Sequence, residues 1–228
     1  MLKIPVIRLF NIKYLMLFTL LCAIAYVGFA AKQKPILVTD KKLAQIEKKY
    51  GKKMVKRFHD WKKLVRNHQK KTEHQKLKLV NDFFNRQIRW LDDKKIWKQT
   101  DYWATPIETM LKQAGDCEDF TLAKYFTLLA LGVPMDKLQI TYVKALKYNQ
   151  AHMILGYVKT KGAEPLVLDN INKKILKGSK RKDLKPVYSF NGEGMWLAGS
   201  KKTGKKVGSS SRIRLWIDLK KRMKKEAI

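Results

Sequence analysis

Cysteine is the residue that this chain uses least, since its 228 residues include only Cys22 and Cys117. So few cysteines exclude a disulfide framework and a multi-cysteine zinc site. Cys22 lies in an apolar N-terminal run, and removal of that run leaves Cys117 with no partner for an internal disulfide. A lone thiol of this kind is a candidate reactive residue.

Acidic residues are also scarce, with 19 Asp and Glu against 50 Lys and Arg, so the formal net charge is +31. This excess attracts polyanions such as nucleic acid, anionic lipid and acidic glycans. Zinc-ligand spacing, a phosphate-binding loop and RNA-binding aromatic motifs are all absent. We therefore interpret the lysines as solvated surface and expect no specific nucleic-acid site. The histidines of the basic helical stretches, His59, His68 and His74, are expected at the surface.

The N-terminus resembles a secretory signal. Lys3, Arg8 and Lys13 precede an apolar run over residues 14–31, and Gly28-Phe29-Ala30 offers small residues for cleavage. We predict a signal peptide over residues 1–30, followed by a linker over 31–40. An uncleaved membrane anchor is the alternative, because the run is nearly long enough to span a bilayer. Either outcome exports the remaining chain to the periplasm.

Hydrophobic periodicity predicts an α+β domain over residues 41–228. A helical arm covers 41–91, with helices near 41–67 and 72–91. The core of the domain follows over 92–198, and a basic loop and amphipathic helix fill 199–228. Within the core the pattern predicts an aromatic segment with a short helix at 107–113, a cysteine-bearing helix, and strands at 138–144, 152–159, 166–169 and within 187–198. The terminal helix either docks onto the domain or makes weak contact with an anionic membrane.

The segment Gly115-Asp116-Cys117-Glu118-Asp119 precedes an apolar, helix-period run. Cys117 is therefore predicted in the first turn of a buried helix, where free N–H groups and the helix dipole favour a thiolate. The flanking carboxylates have the opposite effect, because like charges raise the pKa of a thiol. Asp116, Glu118 and Asp119 could relieve this repulsion by binding Ca²⁺, a cation that prefers carboxylate oxygens. Helix capping or pairing with lysines is the alternative role, and a structural cysteine the alternative for Cys117.

A cysteine nucleophile needs a base and a group that orients the base. His152 opens one predicted strand, and Asp169 ends the next one. If these strands are antiparallel neighbours, both side chains lie at one edge of the sheet. A cysteine-bearing helix across that edge would complete a Cys117–His152–Asp169 triad.

Four motifs carry a resemblance to a known family: Tyr102-Trp103-x-Thr105-Pro106-x-Glu108, Gly115-Asp116-Cys117-Glu118-Asp119, Ala151-His152-Met153 and Val167-Leu168-Asp169-Asn170. They resemble the transglutaminase-like cysteine peptidases, and more narrowly the LapG-type periplasmic proteases of bacteria. The resemblance implies a papain/transglutaminase-like core, in which the cysteine-bearing helix packs on an antiparallel sheet. It also implies catalytic roles for Cys117, His152 and Asp169, and calcium ligands among Asp116, Glu118 and Asp119.

The same resemblance implies a biological setting. Proteases of this family cleave the N-terminal region of large repeat adhesins and so release biofilm cells. An inner-membrane cyclic-di-GMP receptor of the LapD type holds them inactive by inserting an apolar side chain near the active site. Together with the concentration of aromatics before Cys117, this makes Trp97, Tyr102 and Trp103 candidates for receptor binding. Trp103 and Gln113 are candidate oxyanion donors beside the backbone N–H of Cys117.

Two other functions stay open at this point. An acyl-transfer enzyme, such as a transglutaminase or a peptidoglycan amidase, could use the same triad, because a fold does not distinguish hydrolysis from transfer. A non-enzymatic basic module for acidic glycan or membrane is the third reading. Loss of activity in Cys117→Ala separates both enzymes from the binding module, and product mass separates the two enzymes from each other.

Overall fold

The computed structural model describes residues 38–197 and 206–226. The predicted signal peptide or anchor over 1–30, and most of the linker, lie outside the described residues. Within them, none of the helices combines the length and the apolarity needed to cross a membrane.

The described residues contain seven α-helices. They are α1 (Asp40–Tyr50), α2 (Lys52–Asn67), α3 (Glu73–Gln87), α4 (Asp93–Ile96), α5 (Pro106–Lys112), α6 (Cys117–Ala130) and α7 (Arg214–Glu226). The continuous helix predicted near 41–67 is wrong, because Gly51 takes a φ of 81° that ends α1 and starts α2. The helix predicted over 72–91 ends early, since Ile88 adopts an extended conformation.

The strands are β1 (Arg89–Trp90), β2 (Ala114–Gly115), β3 (Leu138–Ala145), β4 (Gln150–Tyr157), β5 (Leu166–Leu168), β6 (Leu176–Lys177), β7 (Leu184–Phe190), β8 (Met195–Leu197) and β9 (Lys206–Gly208). Among the described residues, seven of them form one antiparallel sheet in the order β6-β5-β4-β3-β7-β8-β9. The single strand expected within 187–198 is two strands, and part of the expected loop over 199–211 is β9. β1 and β2 form a separate parallel pair.

Helix α6 packs across one face of this sheet, as the sequence predicts. Its apolar residues, Phe120, Leu122, Ala123, Tyr125 and Leu128, are at most 3% exposed and share one core with β3 and β4. Burial of each large side chain contributes roughly 1.5–3 kcal/mol, so the start of α6 is held firmly against the sheet.

The basic helices and the terminal helix belong to the same core. Trp61 of α2 donates a hydrogen bond to Thr127 of α6 at 2.9 Å, and both residues are buried. Trp216 of α7 stacks on Phe126 of α6 with 5.6 Å between ring centroids. The docking predicted for the terminal helix is therefore confirmed, and α6 is enclosed by helices on the side away from the sheet.

Candidate active site and metal centre

Cys117 is the first residue of α6, as predicted. Asp116 precedes it in an extended conformation and makes no side-chain capping bond to the helix. The backbone N–H groups of the first turn therefore point out of the helix without intrahelical partners. The thiol itself donates to Glu118 Oε2 at 2.8 Å.

His152 and Asp169 form a buried pair in the neighbouring part of the sheet. The distance from His152 Nε2 to Asp169 Oδ1 is 2.8 Å, and both residues are at most 4% exposed. The strands β4 and β5 pair in the antiparallel sense, with Leu155 opposite Leu168, which brings the start of one strand to the end of the other. The predicted arrangement of these two residues is present.

Three more groups fix Asp169. Arg181 Nη2 donates to Oδ2 at 2.7 Å, while Asn85 and Lys124 each donate to its backbone carbonyl at 3.0 Å. Burial alone would raise the pKa of Asp169, but the bonds from His152 and Arg181 outweigh burial and hold that pKa well below its usual range. Asp169 is therefore an anion, and it accepts a hydrogen bond from the N–H at His152 Nε2.

Met153 connects this pair to the cysteine helix. Its carbonyl accepts a hydrogen bond from the Thr121 hydroxyl of α6 at 3.1 Å, and its backbone N–H acts to lower the pKa of the Cys117 thiol. The residue adjacent to His152 is thus joined to the cysteine helix by a hydrogen bond. In the described residues, however, the thiol's side-chain hydrogen bond goes to Glu118 and none joins it to the imidazole.

Three carboxylates converge beside the cysteine turn, those of the buried residues Asp93 and Asp119 and that of the half-buried Asp116. Ligand atoms of Asp93, Asp116 and Asp119 all lie within 4.8 Å of one another. Among residues 38–197 and 206–226, Asp93 Oδ1, Asp116 Oδ1 and Asp119 Oδ2 are buried and accept no hydrogen bond. Glu118 belongs to a second group with Asp116 and Cys117. The structure therefore adds Asp93 to the predicted ligands and places Glu118 beside the thiol.

Burial and mutual repulsion raise the pKa values of the clustered carboxylates. Burial, followed by the charges of Glu118 and Asp119, raises the pKa of Asp116 to about 10. Burial is also the main reason that the pKa of Asp93 rises to about 6 and that of Asp119 rises well above its usual range. The pKa of the Cys117 thiol is raised by burial first and by Glu118 and Asp116 next. Three oxygen donors without partners suit a hard cation, whereas a thiol does not.

Gly115 is required by this packing. A Cβ at position 115 would lie 2.6 Å from both the Cβ and the Oδ2 of Asp119, which is too close for any side chain. The glycine before the cysteine turn therefore makes room for the Asp119 carboxylate within the cluster.

The aromatic segment before α5 is divided between surface and core. Trp97 and Tyr102 are half-buried and pack together with 4.5 Å between ring centroids. Trp103 is only 4% exposed and stacks on Phe190 at 5.7 Å. The assignment of Trp103 to a receptor surface is corrected, because its indole fills the core. Trp97 and Tyr102 keep exposed area that a partner could contact.

The two candidate oxyanion side chains have other surroundings. The buried Trp103 Nε1 has no hydrogen-bond partner among the described residues, and the Gln113 amide nitrogen lies 4.0 Å from Met54 Sδ on α2. No described hydrogen bond joins either side chain to Cys117. The backbone N–H of Cys117 remains the candidate donor with helix geometry in its favour.

Comparison with known proteins gives the family. A family model described as bacterial transglutaminase-like cysteine proteinase matches residues 49–185. The chain belongs to this family. It is similar to EGTA-treated LapG of Legionella pneumophila, with 44% identity and a TM-score of 0.73, over 82% of this chain and 98% of that one. It is also similar to calcium-bound LapG of the same organism, with 45% identity and a TM-score of 0.70, over 80% of this chain and 98% of that one. No curated protein matches the sequence.

The transglutaminase-like cysteine proteinase fold and family inferred from the sequence motifs are therefore confirmed. Two residues of the site were missed. Asp93 lies in an Asp-Asp pair before the aromatic segment, and its acidity was the only signal. Arg181 stands among the lysines of a basic run, and its role shows only in three dimensions.

Proposed function

We propose that this transglutaminase-like cysteine proteinase is an exported, calcium-dependent endopeptidase that uses Cys117, His152 and Asp169. The observation that carries the proposal is the buried His152–Asp169 pair, which is adjacent to Met153, whose carbonyl accepts a hydrogen bond from Thr121 of the cysteine helix. A nucleophile, a base and an orienting anion are the parts that amide cleavage by a cysteine needs.

The ring nitrogens of His152 have different roles. Nε2 carries a proton and donates a hydrogen bond to Asp169, so Nδ1 keeps the lone pair and can remove the proton of the Cys117 thiol. The thiolate then attacks the peptide carbonyl, and His152 returns the proton to the leaving amine. Water, activated by the same nitrogen, hydrolyses the thioester and restores the thiol. Throughout, Arg181 and the Ile171 N–H keep Asp169 charged and fixed.

The start of α6 can stabilise the oxyanion of each tetrahedral intermediate. The Cys117 N–H is among the helix N–H groups without an intrahelical acceptor, and the positive end of the helix dipole lies in the same place. Loss of a donor of this type commonly costs about 10²–10³ in rate.

Asp93, Asp116 and Asp119 are proposed to hold the calcium ion. Their three buried oxygens without hydrogen-bond partners fit a hard divalent cation. When bound, Ca²⁺ supplies positive charge that offsets the carboxylates and favours the thiolate. The similarity to LapG, which has calcium-bound and EGTA-treated structures, supports this assignment.

The proposed substrate is the N-terminal region of a large surface adhesin, cleaved in the periplasm, so that the activity releases biofilm cells. An inner-membrane cyclic-di-GMP receptor of the LapD type is the proposed inhibitor, with Trp97 and Tyr102 in its contact surface. The similarity to LapG over nearly the whole of that chain, and the signal-like N-terminus, support this setting.

The test is cleavage of a purified N-terminal adhesin fragment in calcium, with products identified by mass spectrometry. Cys117→Ala, His152→Ala and Asp169→Ala are each expected to reduce the rate about a thousandfold or more, because a triad acts as a unit. His59→Ala serves as the control, because His59 is an exposed histidine of α2 outside the proposed triad. A folded Cys117→Ala protein that cleaves at the wild-type rate would refute the mechanism. Products that carry an added amine would instead indicate acyl transfer.

A further inference from the structure

The segment Tyr102–Ala104 orients two of the three clustered carboxylates. The Tyr102 N–H donates to Asp93 Oδ2 at 2.6 Å, and the Ala104 N–H donates to Asp119 Oδ1 at 2.8 Å. Each carboxylate is thus held by one oxygen, and its other oxygen is the one that lacks a partner within the described residues. The backbone position of this segment therefore sets where two of the proposed cation ligands lie.

The other side of the same segment is held by α7. Arg222 Nη2 donates to the Trp103 carbonyl at 2.6 Å, and the guanidinium lies 4.4 Å from the centroid of the Tyr102 ring. Trp103 is the residue between the two N–H donors. Arg222 of the terminal helix thus binds the backbone of Trp103, and the N–H groups of the residues on either side of Trp103 orient Asp93 and Asp119.

Glu108 of α5 completes the contact. It accepts from Arg222 Nη1, from the Tyr102 hydroxyl at 2.8 Å and from the Thr105 N–H at 2.8 Å. A second contact between the helix and this region joins Thr105 Oγ1 to Glu226 Oε1 at 2.7 Å. The remaining nitrogen of the guanidinium, Nε, donates to Asp218 Oδ2 at 2.9 Å, which fixes the orientation of the Arg222 side chain on its own helix.

We propose that Arg222 is a positioning residue that couples the docking of α7 to the affinity of the Asp93–Asp116–Asp119 site for calcium. This inference rests on the calcium site of the proposed function and adds the control of that site. A planar guanidinium can hold the Trp103 carbonyl, Glu108 and Asp218 at once, whereas a lysine ammonium is a point charge on a flexible stem. Coupling of this kind is reciprocal, so calcium binding also stabilises the docked helix.

The first experiment compares Arg222→Gln with Lys221→Gln. Both variants lose one positive charge from α7, but Lys221 is exposed and is not one of the residues that hold the segment. Calcium affinity is measured by titration calorimetry on the chelated, folded protein, and unfolding by urea is followed in EGTA. We expect Arg222→Gln to weaken calcium binding about tenfold, which corresponds to about 1.4 kcal/mol. Arg222→Lys should lie between Arg222→Gln and the wild type, and Lys221→Gln should match the wild type.

The calcium dissociation constant separates positioning from a purely structural role. If Arg222 only stabilises the fold, Arg222→Gln lowers the urea midpoint in EGTA and leaves the affinity unchanged, and the inference is overturned. Failure of the wild-type protein to bind calcium would overturn both the metal assignment and this inference. Binding by the wild type and Arg222→Gln with equal affinity would overturn the inference alone.

A second experiment needs no variant and covers the case in which Arg222→Gln does not fold. Amide hydrogen exchange of the wild-type protein is measured in calcium and in EGTA. We expect several-fold slower exchange over Arg214–Glu226 with calcium, because binding and docking stabilise each other. Equal exchange of this helix in both conditions, with calcium bound, would contradict the proposed coupling.

Discussion

Replacement of Asp93 by asparagine is expected to have opposite effects on stability with and without calcium. Asp93 is 3% exposed, and one of its oxygens, Oδ1, faces the other carboxylates without a hydrogen bond among the described residues. Its second oxygen accepts from the Tyr102 N–H, and an asparagine oxygen can do the same. The substitution therefore removes a charge from the cluster and keeps the local backbone contact.

The magnitude without calcium follows from the pKa of Asp93, which rises from 3.8 to about 6. At pH 7 this carboxyl is ionised in both the folded and the unfolded protein, so the full shift of about two units acts against folding, about 3 kcal/mol. Solvent screening reduces this to about 2 kcal/mol. The weaker bond from Tyr102 to a neutral acceptor costs about 1 kcal/mol. The variant should therefore be about 1 kcal/mol more stable than the wild type in EGTA.

The sign reverses in calcium. Loss of one of three carboxylate ligands should weaken binding about a hundredfold, because calcium affinity follows the charge of the ligands. At a calcium concentration one hundred times the wild-type dissociation constant, the wild type gains about 2.7 kcal/mol and the variant only about 0.4 kcal/mol. The variant should then be about 1 kcal/mol less stable than the wild type.

Urea unfolding at pH 7, followed by tryptophan fluorescence, measures the free energy of unfolding both in EGTA and in calcium. Asp92→Asn is the matched control, since Asp92 is exposed and caps α4 by accepting from the Lys94 N–H at 2.9 Å. Asparagine caps a helix as well as aspartate does, so this control should leave the free energy of unfolding unchanged in EGTA and in calcium. An Asp93→Asn variant that is destabilised equally in EGTA and in calcium, with an unchanged affinity, would refute the assignment of Asp93 to a cation site.

Two further predictions concern pH and the receptor. In EGTA the free energy of unfolding should fall by about 2–4 kcal/mol from pH 5 to pH 7, because the raised pKa values of Asp93 and Asp116 keep protons on the folded protein that the unfolded chain has released. Saturating calcium should abolish this fall, and a fall of equal size in calcium would show that the cation does not bind these carboxylates. Trp97→Glu should weaken receptor binding by about 2 kcal/mol in surface plasmon resonance if Trp97 is a central contact. The exposed control Trp90→Glu should not, and equal loss in both variants would contradict a specific surface.

The elements with a clear hydrophobic period could be predicted from the sequence. Strands β3 to β5 lie close to the predicted ranges and β4 pairs with β5 in the antiparallel sense, so the contact between His152 and Asp169 followed from the order of the strands. These predictions succeeded because each depends on one or two neighbouring elements. The break at Gly51 was missed, since the apolar period continues through it and only the positive φ reveals the change of direction.

The residues that the sequence did not reveal depend on contacts between distant segments. Asp93 joins Asp116 because the two-residue strands β1 and β2 pair in parallel, and strands so short leave no periodic pattern. Arg181 is flanked by Lys180 and Lys182, and only the fold shows that Arg181 is the one of these three whose side chain pairs with the Asp169 carboxylate. Trp103 and Trp97 are equally aromatic in the sequence, and their different burial follows from the stacking of Trp103 on Phe190.

The pairing of β1 with β2 also has a consequence for the cross-linking of the chain. Cys117 is the only free cysteine among the described residues, so no disulfide there can shorten the unfolded chain. A cation shared by Asp93 and Asp116 would close a loop of about two dozen residues, and a covalent bridge over such a loop contributes about 3 kcal/mol in the chain-entropy account. The carboxylates would thus form a cross-link that opens and closes with the calcium concentration, whereas a disulfide would be permanent.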